Sequence, residues 1–303
     1  MTLDPKQLGA FLAVIENGSL GRAAEALHVT QPALSRTIRR LEAHLGARLF
    51  ERHSTGMALT AYGQALQPYA KLLSTEAANA VRAIDALRGL DRGVLRVGAI
   101  GSAAVMLLPG AVERLLARWP GLRVQIVEAV EDQLAAALTL NDIDLAIAGQ
   151  IAETEEIMRI AGHDFHDDYH VIAAADHPLQ RKSSLAIGDL ADFPWAMPPR
   201  GAPPRQQFVE LVLSLGAEPP PAAVETRSVG MMLRLIGGHR FLGWLPQPLY
   251  ATAEAAGLVR PLAVQGMTIQ RHFFVYRRRR GILPPPALKL LEELRHPTVP
   301  NRG

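Results

Sequence analysis

The chain has 303 residues, 49% apolar and 20% charged, enough for two or three domains with cores of their own. It has no cysteine, which excludes disulfide frameworks, thiolate metal sites and cysteine nucleophiles. The net charge of +3 divides into +2 over residues 1–62, −6 over 63–259 and +7 over 260–303, which excludes a strongly basic head and leaves phosphate affinity to a few local arginines and to oligomerisation. The N-terminus has no charged stretch followed by an apolar one, and no apolar run approaches the roughly 20 residues of a membrane helix. A cytoplasmic protein without a membrane partner is therefore expected.

Asp4-Pro5 predicts a helix start, with Leu8, Phe11, Leu12 and Ile15 inward and Asn17-Gly18 as the stop. Ser19 caps a second helix whose inward residues are Leu20, Ala23, Ala24 and Leu27. After the turn His28-Val29, Thr30 caps a third helix over 31–45, with Pro32 in its first turn and Gly46 behind it. Leu34, Ile38, Leu41 and Leu45, spaced four, three and four, make one apolar stripe, and Gln31, Ser35, Arg36 and Arg39 fall on the other side. Two short helices joined by a tight turn match helix-turn-helix spacing over Leu20 to Arg39. An exposed face that begins with Gln, Ser and Arg suits a major groove. Gln31 fits adenine, Arg36 guanine or phosphate, and Pro32 a thymine methyl; Thr30 and Ser35 fit phosphate, and Arg39 the DNA backbone. Residues 47–60 read as two strands around Ser54-Thr55-Gly56, a wing where Arg52 and His53 are candidates for phosphate or the minor groove. The plainer alternative for all of these is a solvated face on a small helical domain.

From 62 to 88, Leu66, Ala70, Leu73, Ala77, Ala80, Ile84 and Leu87 alternate spacings of four and three, a coiled-coil seam that pairs with a second copy. Gly89 to Gly93 is a linker. Strand and helix then alternate: strands at 94–100, 124–127 and 144–148, helices at 102–119 and 131–140, a parallel α/β pattern. The second half repeats it, with strands near 169–174, 193–197, 223–226 and 241–245, helices near 203–215 and 228–237, and a closing strand at 271–277 and helix at 284–295.

Through the first 65 residues the motifs run in order without a gap: Leu8-x-x-Phe11, Glu16-x-Gly18-Ser19, Ala23-Ala24-x-x-Leu27, Thr30-Gln31-Pro32-Ala33-Leu34-Ser35-Arg36, Ile38-x-x-Leu41-Glu42, Leu45-Gly46-x-x-Leu49-Phe50-Glu51-Arg52 and Leu59-Thr60-x-x-Gly63. This stretch resembles the head of the LysR-type transcriptional regulators. The rest is similar in layout to that family's effector domain, itself like a type 2 periplasmic binding protein. The looser motifs there are Gly93-x-Leu95-x-Val97-Gly98, Leu108-Pro109, Pro120-x-Leu122-x-Val124, Asp144-Leu145-Ala146-Ile147-Ala148 and His177-Pro178-Leu179. The resemblance implies an α/β chain with a winged helix-turn-helix head of the all-α type at 1–61, a linker and dimerisation helix at 62–89, and a two-lobed effector domain at 90–303. Lobe 1 is expected at about 94–162 plus 268–297, and lobe 2 at about 163–267. It further implies a homotetramer built as a dimer of dimers, double-stranded promoter DNA as partner, a small-molecule effector in the interlobe cleft that adjusts promoter binding or DNA bending, and no cofactor or catalysis. RNA polymerase is a further partner that it allows.

In the cleft, Ser102 begins a helix and reads either as a cap or as an effector contact. Ile100 and Ala103 stand where other members of the family often carry hydroxyls, so this cleft is expected to be more apolar than usual. Met197, Pro199 and Arg200 on one loop and Ser228 at a helix start are expected to face it from lobe 2. A small molecule with a carboxylate or several oxygens would bridge Ser102 and lobe 2; the alternative for Arg200 is an exposed loop charge. The family's Gly-x-Gly near the end of lobe 2 reads Gly238-His239-Arg240 here, so a different local turn is expected.

The cluster His163-Asp164-Phe165-His166-Asp167-Asp168-Tyr169-His170 places 164, 166, 168 and 170 on one strand face, but an exposed polar crossover between lobes is a simpler account than a metal site. Arg277 to Arg280 reads as a solvated strand end. No phosphate-binding loop, dinucleotide fingerprint, His-Glu-x-x-His or Gly-x-Ser-x-Gly occurs. That weighs against the rival reading, a two-lobed α/β binding protein or enzyme whose N-terminal helices serve only oligomerisation.

Overall fold

A computed structural model describes residues 3–53, 56–87, 93–238 and 240–295. The Asp4 carboxylate accepts from the Lys6 amide at 2.9 Å to start α1 (Pro5–Asn17), and Gly18, at φ 66°, ends it with a left-handed cap. Helix α1 touches three other helices, so its buried set, Leu8, Ala10, Phe11, Ala13 and Val14, is broader than one stripe, and the expected Leu12 and Ile15 are only half-buried. Ser19 caps α2 (Leu20–Ala26). Leu27, expected inward, is 40% exposed: it lies beyond the last turn, just before His28 leaves at φ 55°. Thr30 caps α3 (Gln31–Leu45), which buries Leu34, Ile38 and Leu41, and Gly46, at φ 66°, stops it.

The wing is an antiparallel pair, β1 (Phe50–His53) and β2 (Gly56–Leu59), with Phe50 opposite Leu59; its turn residues Ser54 and Thr55 lie outside the described residues. The Glu42 carboxylate ties α3 to the wing by accepting from the amides of Leu49 at 2.8 Å and Phe50 at 3.4 Å. The linker helix is α4 (Ala61–Leu87). It starts so close to the wing that a Cβ on Gly63 would stand 2.3 Å from the Leu49 carbonyl oxygen and 2.7 Å from Leu59 Cδ2. A backbone oxygen cannot move aside as a flexible side chain can. Gly63→Ala is therefore expected to lower stability by about 1–3 kcal/mol through overpacking, read as a downward shift of the chemical-denaturation midpoint; an unchanged midpoint refutes the contact.

The seam on α4 divides. Leu66 and Ala70 turn into the core of the head, whereas Leu73 and Ile84 are 48% and 53% exposed and Ala77 and Ala80 are exposed beside them. Tyr62, Tyr69 and Val81 extend this apolar surface. The side chain of Leu87 and the linker from Gly89 lie outside the description. Adjacent to Ala70, the Lys71 ammonium pairs with Asp142, and Asn141 Nδ2 donates to the Lys71 carbonyl at 3.5 Å, so α4 also meets the following α/β region.

That region begins with β3 (Gly93–Ala99), α5 (Gly101–Met106), α6 (Leu108–Arg118), β4 (Leu122–Glu128), α7 (Glu131–Thr139), β5 (Leu145–Ala148) and the long β6 (Ile157–Ala174). It continues through β7 (Trp195–Met197), α8 (Pro203–Ser214), β8 (Ala222–Glu225), α9 (Val229–Gly237), β9 (Gly243–Pro246), α10 (Gln247–Ala255), β10 (Val259–Pro261), β11 (Ile269–Arg278) and α11 (Pro285–Leu294). The helix expected at 102–119 is two helices meeting at Leu107, and neither α10 nor β10 was foreseen. The main sheet runs β10-β6-β11-β5-β3-β4, with β9 also on β6. Only β4-β3-β5 is parallel; β11 pairs antiparallel with β5 and β6, and β6 antiparallel with β9 and β10. The expected parallel pattern thus holds at one end of this sheet and in the separate pair β7-β8, and gives way where β6 and β11 pass each other.

Those strands link two cores. One gathers Leu95 to Ile157 with Phe273 to Leu294, the other Tyr169 to Met267. Their facing pairs step from Phe165 opposite Phe273, through Asp167 opposite Arg271, to Tyr169 opposite Ile269. The crossover is not the exposed polar strand that the sequence predicts. Its even positions share one face, but His163 and Asp167 are buried, and His163 Nε2 lies 3.0 Å from the Leu291 carbonyl oxygen. Nor is the arginine run fully solvated: Arg277 and Arg278 are half-buried, and Arg279 Nε donates to the Thr154 carbonyl at 3.1 Å.

Candidate functional site

Two places carry chemistry. On the head, Gln31, Pro32, Arg36 and Arg39 are exposed and Ser35 is half-buried, on the side of α3 away from Leu34, Ile38 and Leu41. The Thr30 hydroxyl accepts from the Ala33 amide at 3.4 Å, which leaves its own proton free to donate. Arg39 folds back on Ser35, with Nε donating to the carbonyl at 3.3 Å and Nη2 to the hydroxyl at 3.4 Å. Arg36 has no ion pair among the described residues. Arg52 and His53 end β1 opposite Met57 and Gly56, but their side chains lie outside the description. A hollow of about 950 Å³ lies beside this face, between α3, the wing and the start of α4, with Ser35, Arg39, Arg48 and Tyr62 on its walls. Arg48, exposed at the foot of the wing, was missed by sequence reasoning, which found no period to place it in.

The second place is where the two cores meet. Ser102 is 2% exposed, and its hydroxyl accepts from Arg271 Nη2 at 2.5 Å. Arg271 also holds Asp167 through Nε at 3.1 Å and Nη2 at 2.6 Å, and its guanidinium stands 4.9 Å from the centre of the Tyr169 ring. Burial pushes the Tyr169 phenol up to about 12, against the opposing pull of the Arg271 charge. Neither Asp167 nor Arg271 was singled out. The signal was present as alternation: Phe165-x-Asp167-x-Tyr169 and Ile269-x-Arg271-x-Phe273 each set one charge in an inward row.

The lobe-2 candidates sit elsewhere. Met197 is 1% exposed in the second core, and Pro199 is half-buried. Arg200 is 87% exposed and lies 3.9 Å from Glu225. Ser228 caps α9 by accepting from the Met231 amide at 3.2 Å. None of their bonds reaches Ser102. The element of the second half that lies against α5 is instead α10, with Leu249 next to Gly101. Ile100 and Ala103 are taken up by the first core. Gly238 closes α9, and His239 lies outside the described residues.

Comparison with known proteins gives one answer for both halves. Residues 5–64 match the model of the bacterial regulatory helix-turn-helix proteins of the lysR family, and residues 88–297 match the LysR substrate binding domain. The helix-turn-helix-type transcriptional regulator YdcI of Escherichia coli (strain K12) is 30% identical over 80% of this chain and 78% of its own. The RuBisCO operon transcriptional regulator of Allochromatium vinosum is 27% identical over 94% of this chain and 93% of its own. Among solved structures, a full-length OxyR from Pseudomonas aeruginosa superposes with a TM-score of 0.74 at 22% identity, over 98% of this chain and 96% of that one. Full-length CbnR in complex with its target DNA gives a TM-score of 0.66 at 24% identity, over 97% and 99%.

Proposed function

The chain belongs to the LysR family of DNA-binding transcriptional regulators, and we propose that it reads its promoter through the exposed face of α3 under the control of a small molecule held where the two lobes meet. It is a regulator with an effector-binding domain, not an enzyme. The observation that carries the reading is the division of α3. Leu34, Ile38 and Leu41 lock it into the head while Gln31, Pro32, Arg36 and Arg39 stand in solvent over a capped N-terminus. Gln31 and Arg36 take the base-reading roles, and Thr30, Ser35 and Arg39 hold phosphate, joined by Arg52 and His53 from the wing.

The domain limits follow the same reading: head 1–61, linker helix 62–89, effector domain 90–303. The exposed apolar row Leu73, Ala77, Ala80 and Ile84 supports pairing of α4 with a second copy, and two such dimers make the tetramer. No described helix is long and apolar enough to cross a membrane, and a role on promoter DNA supports a cytoplasmic location. Effector contact centres on Ser102, with Arg200 and Ser228 as the contacts from the second lobe, and differential affinity of the molecule for two lobe arrangements would shift the spacing of the heads.

Arg36→Ala is expected to weaken specific binding to the intergenic region upstream of its own coding sequence by roughly 10- to 100-fold, the worth of one bidentate base contact. The far-UV circular dichroism should stay unchanged. A mobility-shift assay at physiological salt that finds wild-type affinity removes Arg36 from the interface.

A further inference from the structure

Granted that the effector is held where the two lobes meet, we propose that Asp167 silences Arg271 as an anion receptor, so that the site beside Ser102 takes its ligand through uncharged oxygens and turns carboxylates away. An arginine next to a serine invites the opposite conclusion, because a guanidinium fork matches a carboxylate. Here the fork is already filled from within. Arg271 Nε and Nη2 stand 3.1 and 2.6 Å from the two Asp167 oxygens, and the same Nη2 stands 2.5 Å from Ser102 Oγ. The side chains of Asp167 and Arg271 are 0% and 17% exposed, so water does little to screen the pair, which is neutral as a unit.

Among the described residues, a further carboxylate acts on the pair and another stands beside the start of α5. Glu131, at the start of α7, acts electrostatically on both Arg271 and Tyr169, and one of its oxygens lies 3.0 Å from where a Cβ on Gly149 would stand, at the end of β5. Glu128, at the end of β4, lies 2.8 Å from the corresponding point on Gly101. The one cation on the Met197–Gly201 loop, Arg200, is 87% exposed and faces Glu225. A carboxylate entering beside Ser102 would therefore meet three carboxylates against one arginine already bound to the first of them.

An uncharged ligand escapes that repulsion and still finds partners. The Ser102 oxygen accepts from Arg271, which leaves its proton free to donate to a hydroxyl, carbonyl or amide oxygen, while Glu131 and Glu128 can accept from a hydroxyl or amide. Asp167, which touches no ligand, is thus a positioning residue that sets the charge class of the effector.

The test uses the full-length protein with acetate and acetamide, probes of one shape that differ in charge, followed by thermal shift at constant ionic strength. Wild type is expected to be stabilised no more by acetate than by acetamide. Asp167→Asn keeps the shape but frees the guanidinium, and acetate should then bind more than about tenfold tighter than acetamide, as for a newly available charge-assisted pair. Adding Arg271→Gln should abolish the gain, which a merely structural role for Asp167 would not predict. A wild type that prefers acetate overturns the proposal, as does an Asp167→Asn protein that gains no preference. The wild-type comparison decides by itself should the variant not fold. An effector that turns out to be a carboxylate bound through Arg271 would defeat the charge rule and leave the regulator intact. Metabolite-independent promoter binding beside a confirmed charge rule would do the reverse.

Discussion

Phe11→Ala is expected to unfold the DNA-binding head ahead of the rest of the chain. Phe11 is fully buried at the centre of α1, its ring 5.3 Å from that of Phe50 and tilted by 50°, in a core completed by Leu8, Val14, Leu34, Ile38, Leu41 and Leu49. Removing a buried phenyl ring costs about 3–5 kcal/mol, the transfer loss plus the cavity left behind. A head of some 60 residues has only about 5 kcal/mol or a little more to lose. Calorimetry should show the transition of the head lowered by at least about 10 °C, while that of the effector domain stays in place and mobility shifts disappear. A head transition within a degree or two of wild type would mean that Phe11 is not the keystone of this core.

A loss of similar size is expected from Asp167→Ala, by a different route. The substitution removes little volume but leaves the Arg271 guanidinium in a buried site with Ser102 as its remaining bonded partner. Breaking a buried pair from one side costs about 3–5 kcal/mol, because the surviving charge keeps its desolvation penalty and loses its compensation. Removing both charges, as Asp167→Leu with Arg271→Met, should restore most of the stability, since replacement of a buried ion pair by apolar residues is commonly neutral. The cycle of single and double variants in urea measures the coupling directly. Single variants that lose less than about 1 kcal/mol each, in the range of an exposed pair, would show that water reaches the site.

These two sites mark the limits of what could be read in advance. The head was legible because its signals are local. Asp4, Ser19 and Thr30 cap the helices they precede, Gly18 and Gly46 end them, and Leu34, Ile38 and Leu41 are the buried row of α3. The break at Leu107 was also local: Pro109 lacks the N–H that a mid-helix position would use and stands at the second position of α6, where none is needed. Helix α10 escaped because it buries only Pro248 and Tyr250 and so carries no apolar stripe, and β10 because it buries only Val259. The Asp167–Arg271 pair was out of reach for a different reason. Its members are 104 residues apart, and only the antiparallel passage of β6 and β11 puts them face to face. Nothing in strand propensity tells a long strand which way its neighbour runs.

Ala70 and Lys71 are consecutive, yet one is buried in the core of the head and the other is fastened to Asp142 and Asn141 of the effector domain. Successive residues on a helix point about 100° apart, so α4 is gripped from two sides at the same height. A lobe that turned about the axis of this helix would act on the head through a single turn of α4.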